Sequence, residues 1–332
     1  MAKACCHAGE ANLVDSKGDK SADASRLFVM VGNPNVGKTT LINAISGASL
    51  RIGNWPGTTV ERMETHFIYH CNSKELQAAD KESDNQATSA PAKSEVTEKA
   101  SAESTTKTDS AEVKDASVKV HLVDLPGAYG LAASSAEEKV TRDELLTRMP
   151  DAVIDVIDAG NLERNLAMTI ELIELGVPVV VALNLLDEAK EKGMKPNIEA
   201  LSEALDLPVV PTVAVKEEGV QELMRHAIAA KRSKLKIEYP PEIEKAIEDL
   251  SSFLDTPAAR WIAVAALIGD KLEDLDNPTE GPAQEENERA HKAIKIPSDF
   301  RKKAEYYRKK FAENGIDCFL EIADTRYRLA RK

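Results

Sequence analysis

Apolar and polar positions change rhythm several times along the chain, and each change predicts an element. Residues 27–31 are a continuous apolar run, the pattern of a strand buried on both faces. A glycine-rich turn follows. Leu41, Ile42 and Ile45 then fall at helical spacing across residues 39–46, and Gly47 closes the helix. Over residues 64–71, Phe67 and Tyr69 alternate with polar neighbours, which predicts a second strand. Residues 118–123, 152–157, 178–183 and 208–213 are further strand-like runs. Helical patterns lie between them, one opened by the capping-box sequence Ser135-Ala136-Glu137-Glu138 and one across residues 162–175, stopped by Gly176. Such alternation predicts an α/β fold: a mostly parallel sheet with helices on both faces.

The rhythm is lost in two stretches. Residues 1–25 are small and polar without period, and are expected to form a mobile tail. Residues 73–117 are built from Ser, Thr, Ala, Lys, Glu and Asp with almost no large apolar side chain. Nothing there offsets the entropy of ordering a backbone, so a disordered insertion is expected. Near residue 236 the strands stop. Pro240-Pro241 break the chain, and helical patterns follow over residues 243–254, 258–275 and 299–329, with an acidic loop at 276–289. The expected organisation is an α/β domain over 26–235 and a small all-α domain over 236–332. In the latter, Trp261 should anchor the core, and Tyr306, Phe311 and Phe319 should pack inward.

Composition narrows the function classes. A net charge of −13 argues against a nucleic-acid-binding surface spread over the molecule, because phosphate binding rests on clustered Lys and Arg. Cys5, Cys6, Cys71 and Cys318 make no disulfide framework for 332 residues, which favours a reducing compartment. No signal peptide opens the chain, and its best apolar run, residues 261–268, is about half of the roughly 20 residues a membrane-spanning helix needs.

The strongest chemical signal is Gly32-Asn33-Pro34-Asn35-Val36-Gly37-Lys38-Thr39. It fits G-x-x-x-x-G-K-[ST] directly after a buried strand and at the start of a helix, which is the context of a phosphate-binding P-loop. Backbone N–H groups there form an anion cradle; Lys38 adds charge at the β- and γ-phosphates, and Thr39 offers a hydroxyl to Mg²⁺. Asp124-Leu125-Pro126-Gly127 ends a strand: Asp124 can hold the Mg²⁺ shell, and Gly127 lets a loop move against the γ-phosphate. Asn184-Leu185-Leu186-Asp187 ends another. There the Asp187 carboxylate can accept both N–H donors of guanine, donors that adenine lacks at that edge, while Asn184 ties the loop to the P-loop. In Thr212-Val213-Ala214-Val215-Lys216 a backbone N–H could meet guanine O6.

These stretches, with Gly53-Asn54-Trp55-Pro56-Gly57-Thr58-Thr59-Val60-Glu61, Asp124-Leu125-Pro126-Gly127-Ala128-Tyr129 and Asp158-Ala159-Gly160-Asn161-Leu162-Glu163-Arg164-Asn165-Leu166, resemble the cytosolic N-terminal part of the FeoB ferrous-iron transporters. The resemblance covers residues 26–71 and 118–230; the helical remainder is similar to the family's spacer domain in position and character. It implies a Ras-like G domain that binds and hydrolyses GTP with Mg²⁺. Asn33, Pro34, Asn35, Val36, Gly37, Lys38, Thr39 and Thr40 would then surround the phosphates, and residues 51–61 would be switch I, with Gly57, Thr58 and Thr59 at the nucleotide. Thr39, Thr59 and Asp124 would organise Mg²⁺, and Lys38, Asn35, Thr59 and Gly127 would carry catalysis. Leu185 and Asp187 with Thr212, Val213 and Ala214 would receive the base. In a potassium-stimulated mechanism Asn35 would offer an oxygen to K⁺, joined by backbone carbonyls near Gly53 and Trp55; alternatively Asn35 stabilises the P-loop turn.

The departures from general G domains matter as well. Ala128 stands where Ras-like proteins keep a water-orienting Gln, implying slow intrinsic turnover. Leu185 replaces the usual Lys and Ala214 a common Ser, so base recognition should be weaker and nucleotide release faster. The implied partner is a membrane permease domain of the same polypeptide, at the cytoplasmic side of a bacterial membrane, with homo-oligomers through the full-length protein and no nucleic-acid partner. Two rivals stand beside this reading: an RNA-associated ribosome-assembly or tRNA-modification GTPase, and a nucleotide-dependent switch with negligible hydrolysis. Cys5-Cys6-His7 offers metal ligands in a tail poorly suited to close a shell. Basic residues over 301–310 and 326–332 read as a lipid-facing or, alternatively, a solvated helix surface.

Overall fold

In the described strands, the period-two rule divides the apolar residues between two cores. The computed structural model describes residues 25–47, 51–55, 61–72, 115–132, 135–270, 272, 275–276 and 291–332, a few of them in β2, β3 and β4 by backbone alone. The strands are β1 (Arg26–Val31), β2 (Arg51–Asn54), β3 (Glu61–Asn72), β4 (Asp115–Asp124), β5 (Ala152–Asp158), β6 (Val179–Asn184) and β7 (Val209–Pro211). They form one sheet in the order β2-β3-β4-β1-β5-β6-β7. The pairs β1–β4, β1–β5, β5–β6 and β6–β7 are parallel, and only β2–β3 and β3–β4 are antiparallel. Leu27, Val29 and Val31 of the central β1 point into one apolar cluster, whereas Phe28 and Met30 point into another. A strand covered on both faces has no solvated side, and this is why its sequence is apolar throughout.

The helices are α1 (Lys38–Ser46), α2 (Ala136–Arg148), α3 (Leu162–Leu175), α4 (Leu186–Glu191), α5 (Ile198–Leu205), α6 (Val220–Ile228), α7 (Pro241–Ser251), α8 (Ala259–Ile268), α9 (Ser298–Glu313) and α10 (Cys318–Ala330). Leu41 and Ile42 of α1 and Leu223 and Met224 of α6 cover the face that holds Phe28. Residues of α2 and α3 cover the other. Helices α7–α10 stack outside α3, and Trp261, Ile262 and Val264 of α8 join the same apolar cluster as Leu27 and Val29. The helical end of the chain therefore shares a continuous core with one sheet face. Ser135 caps α2 by accepting a hydrogen bond from the Glu138 N–H at 3.2 Å.

Several sequence expectations are corrected. Residues 51–54, read as part of a switch loop, form the edge strand β2, with Gly53 opposite Arg62. Strands β3 and β4 run further than expected and pair from Met63↔Asp124 to Asn72↔Asp115, so residues 115–117 belong to the sheet rather than to the insertion. Strand β7 is three residues long. The helix expected over 258–275 ends at Ile268, because Gly269 takes φ 86°. The helix expected over 299–329 is two helices, broken at Gly315 (φ 71°), with the Asp317 side chain capping α10 through the Leu320 N–H at 3.1 Å. Phe311 is buried, whereas Tyr306 and Phe319 are exposed, since Phe300, Ala304 and Phe311 define the inner side of α9 and Cys318 and Ile322 that of α10. Arg326 is a further correction: it is not a surface charge but is nearly buried against α3. Of the insertion expected at 73–117, residues 73–114 lie outside the described residues, as does the expected tail up to residue 24, with Cys5, Cys6 and His7.

Candidate functional site

Loops at the C-terminal ends of β1, β4, β6 and β7 meet at one edge of the sheet, where a parallel sheet leaves a crevice for ligands. The loop after β1 is shaped by backbone constraints. Gly32 has φ 144°, and a Cβ there would lie 2.2 Å from the Val156 carbonyl oxygen. Asn35 (φ 65°) and Gly37 (φ 88°) also take left-handed conformations, which turn the chain before α1 begins at Lys38. Lys38 folds back across this loop, its Nζ donating to the carbonyls of Gly32 at 3.0 Å and Asn33 at 3.1 Å. Burial lowers its pKa, while Asp124 and Asp155 act in the opposite direction. The result is a buried cation at the start of a helix, whose first N–H groups have no intrahelical acceptor, an arrangement suited to a polyphosphate. Asn35, Thr39 and Thr40 are exposed at the rim, Pro34 is partly buried and Val36 is buried. The Asn33 side chain turns away and donates to the Arg164 carbonyl at 3.5 Å.

Asp124 stands at the end of β4, level with Met30 of β1. The loop that follows is stitched to the P-loop strand: Leu125 N–H donates to Met30 O at 2.9 Å, and Ala128 N–H to Gly32 O at 3.3 Å. Gly127 packs so closely on Pro34 that an added Cβ would come within 3.0 Å of Pro34 Cα. Burial raises the Asp124 pKa to about 6 against the opposing charge of Lys38. Its Oδ1 is buried and makes no hydrogen bond among the described residues. An orphaned carboxylate oxygen at the sheet edge where α1 begins fits a hard divalent cation. Further along this loop, the Arg164 guanidinium lies 4.3 Å from the Tyr129 ring, and Leu131 N–H donates to Glu171 Oε2 at 2.7 Å.

Asn184 joins three loops. Its Nδ2 donates to Val36 O at 2.9 Å, and its Oδ1 accepts from Thr212 Oγ1 and from Ala214 N–H, each at 3.2 Å. Leu185 then takes φ 58°, a left-handed turn that delivers Asp187 to the first turn of α4. Gly37, Thr40, Asn184, Leu185, Asp187, Val213, Ala214 and neighbours enclose a cleft of about 80 Å³. Asp187 Oδ2 accepts from Lys216 Nζ at 3.1 Å, and this bond holds the carboxyl below its usual range. A carboxylate at the mouth of a cleft adjoining an anion cradle matches the edge of a purine that offers two donors.

The structure thus brings Lys38, Asp124, Gly127, Asn184, Asp187, Thr212 and Ala214 to one sheet edge. Gly57, Thr58 and Thr59 lie outside the described residues. Trp55 buries its ring under the Arg62 guanidinium, 5.1 Å from the ring centroid. Reasoning from motifs missed Asp155, which is fully buried on β5 and accepts from Thr169 Oγ1 of α3 at 2.6 Å. The signal was present: one Asp in the middle of the apolar run over 152–157. Among the described residues, no cluster of three or more His, Cys, Asp or Glu side chains could hold a metal ion, and no helix is long and apolar enough to cross a membrane.

Comparison with known proteins agrees with this geometry. A family model described as ferrous iron transport protein B (FeoB_N) matches residues 26–80 and 99–227, more than half of the chain. The Fe(2+) transporter FeoB of Salmonella typhimurium is 32% identical over 252 residues; the match takes in 73% of this chain and 27% of that protein, so the chain spans about a quarter of its relative's length. A crystal structure of an NFeoB mutant from S. thermophilus bound to mGDP is similar with TM-score 0.66 and 28% identity, covering 93% of this chain and 97% of that one. NFeoB from the same organism bound to GDP.AlF4- and K+ is similar with TM-score 0.62 and 28% identity, covering 92% and 98%.

Proposed function

Since the chain belongs to the ferrous iron transport protein B family, we propose that it binds guanine nucleotides with Mg²⁺ and hydrolyses GTP to GDP and phosphate. The single observation that carries this reading is the adjoining of two specificities at one edge: the Lys38 cradle and the Asp187 cleft, locked together by Asn184. Lys38 and the P-loop N–H groups stabilise negative charge as the γ-phosphoryl group leaves. Asp124, Thr39 and Thr59 would hold Mg²⁺, which would supply charge neutralisation for the phosphates. Gly127 brings its loop against the γ-phosphate, and Asp187 selects guanine. Asn35, exposed at the rim, offers its side-chain oxygen to K⁺, a reading supported by the K+ in the solved S. thermophilus relative.

Iron transport belongs to the remainder of a longer polypeptide in this reading. Residues 26–235 act as the nucleotide switch on the cytoplasmic side, and 236–332 as a helical unit between it and the membrane part. A specific observation favours a second version. Ala128 is buried and bonded through its N–H to Gly32, and it has no side chain with which to orient water. Hydrolysis by this chain alone should therefore be slow.

The test is GTP turnover with Mg²⁺ in matched KCl and NaCl, with ATP as the control. Turnover of GTP alone, faster in K⁺ and with that gain lost in Asn35→Ala, supports the reading in full. Equal rates in the two salts remove K⁺ from it. Nucleotide binding without single-turnover cleavage leaves a binding switch.

A further inference from the structure

The motif over residues 158–166 takes no part in the nucleotide chemistry above, yet it touches three of the site's loops. Asp158 ends β5 and turns the chain: its Oδ1 accepts from Gly160 N–H at 2.7 Å and its Oδ2 from Asn161 Nδ2 at 2.5 Å. Asn165 Nδ2 donates to Asn161 O at 2.7 Å and tightens the first turn of α3. Ala159 N–H donates to Asn184 O at 3.0 Å, which fixes the turn against the base loop. That first turn of α3 brings Arg164 to the P-loop, where its carbonyl accepts from Asn33 Nδ2 at 3.5 Å. Its side chain goes elsewhere. The exposed guanidinium forms no ion pair among the described residues and lies over the Tyr129 ring, 4.3 Å from the centroid. One residue thus meets the P-loop with its main chain and the loop after Asp124 with its side chain.

We propose that Arg164 is a positioning residue for GTP hydrolysis, acting through Tyr129 on the backbone of residues 127–128. Ala128 brings no side chain to orient the attacking water, so that task falls to main-chain groups of this loop. Their placement rests on three restraints: Gly127 packs on Pro34, Ala128 N–H donates to Gly32 O, and Tyr129 is held under Arg164. The first two are made by backbone, the third by side chains. Tyr129 follows Ala128 directly and is half-exposed, so removing the guanidinium loosens the loop next to the reacting phosphate while the P-loop and the base cleft stay as they are. A cation over an exposed ring is a weak contact for stability, and its effect belongs in the rate rather than in the fold. Hydrolysis should suffer; nucleotide binding should not.

This inference rests on the proposed hydrolysis, and one experiment separates the two. Single-turnover cleavage of GTP with Mg²⁺ and KCl is measured for the wild-type chain, Arg164→Ala, Tyr129→Ala, Tyr129→Phe and the double variant Arg164→Ala/Tyr129→Ala. Affinity for a fluorescent, non-hydrolysable GTP analogue is measured alongside. Each single alanine variant should cleave about tenfold more slowly, on the scale set by a small misplacement of reacting groups. Affinity should stay within about twofold of the wild type, the split expected of a contact that serves only the transition state. The double variant should be no slower than the slower single one, because both changes remove the same contact. Tyr129→Phe keeps the ring and should cleave at the wild-type rate. Losses that multiply in the double variant, a Tyr129→Phe rate as low as that of Tyr129→Ala, affinity that falls in step with rate, or wild-type rates in both alanine variants each overturn the inference while leaving hydrolysis intact. A wild-type chain that binds no GTP, or binds it without cleavage, overturns the hydrolysis reading itself, and the inference with it.

Discussion

Arg326, in the last helix, donates to Glu171 of α3 at 2.8 Å, and the second oxygen of that same carboxylate holds Leu131 N–H in the loop that follows Asp124. One glutamate thus joins the end of the chain to the loop nearest the proposed γ-phosphate. Arg326 also donates to Glu174 Oε2 at 2.5 Å, and that oxygen accepts from the Tyr239 hydroxyl at 3.0 Å. Glu174 is fully buried. Arg260 Nε lies 3.5 Å from the other oxygen of Glu174, so without Arg326 Glu174 would keep one more distant cation while Glu171 would have none among the described residues.

Arg326→Ala should therefore cost on the order of 3 kcal/mol, as expected when one partner of a buried ion pair is deleted. Urea unfolding measures the loss, and Arg326→Lys should recover only part of it, because one ammonium cannot reproduce the fork that reaches both glutamates. Hydrogen exchange at Leu131 should quicken in Arg326→Ala if Glu171 transmits the change. Exchange as slow as in the wild type would show that α10 stabilises the fold without influencing that loop.

Lys216 occupies the carboxylate that guanine is proposed to use. Its bond to Asp187 Oδ2 must be displaced or shared when a base arrives, yet both side chains are substantially exposed, so the competition is weak. Lys216→Ala should tighten GDP binding by about two- to fivefold, read by titration, with the gain fading in high salt. Asp187→Asn should weaken guanine and favour xanthine nucleotides, because an amide can donate to the carbonyl that replaces the guanine amino group. Unchanged base preference in Asp187→Asn would remove Asp187 from the base site.

Much of the sheet was legible because burial and period coincide there. The run over 27–31 could only be a central strand, and the cap at Ser135 and the stop at Gly176 marked real helix ends. Asn184 was legible from its motif and its neighbours. What the sequence concealed depended on packing between distant segments. Strand β2 has four residues and no alternation to announce it. The burial of Arg326 follows from two glutamates more than 150 positions away, which no local pattern reveals. Tyr306 and Phe319 were misplaced because aromatic character was given more weight than helical phase. Asp155 was passed over because a single acidic residue in a strand completes no motif.

Gly32→Ala should abolish nucleotide binding. The position combines φ 144° with a site for Cβ only 2.2 Å from the Val156 carbonyl, and that oxygen belongs to backbone that cannot turn aside. Relief requires the P-loop to lift from β5, which moves the two carbonyls that hold Lys38. Titration with a fluorescent GDP analogue would show at least a hundredfold weakening, and circular dichroism would show the remaining fold retained.

Glu64 on β3 gives the chain a calculable acid limb. Its Oε2 meets His121 Nε2 at 3.1 Å and Arg62 Nη2 at 2.7 Å, and His121 in turn stacks on His66 with ring centroids 4.0 Å apart. Burial works against the charge, but the hydrogen bond with His121 and the guanidinium of Arg62 outweigh it and bring the carboxyl from its ordinary value of 4.5 to about 2. A carboxyl depressed on folding stabilises fully above its unfolded value, and the contribution drains away as pH falls from about 5 towards 2. Glu64→Gln should thus be less stable than wild type by on the order of 1–2 kcal/mol at pH 7, with the gap closing steadily below pH 5. Parallel urea titrations at stepped pH read this directly, and the other carboxylates cancel in the difference. A gap that stays constant from pH 7 to pH 3 would mean that Glu64 contributes by shape rather than by charge. The edge that carries β2 would then owe its stability to the stacked histidines and to Trp55.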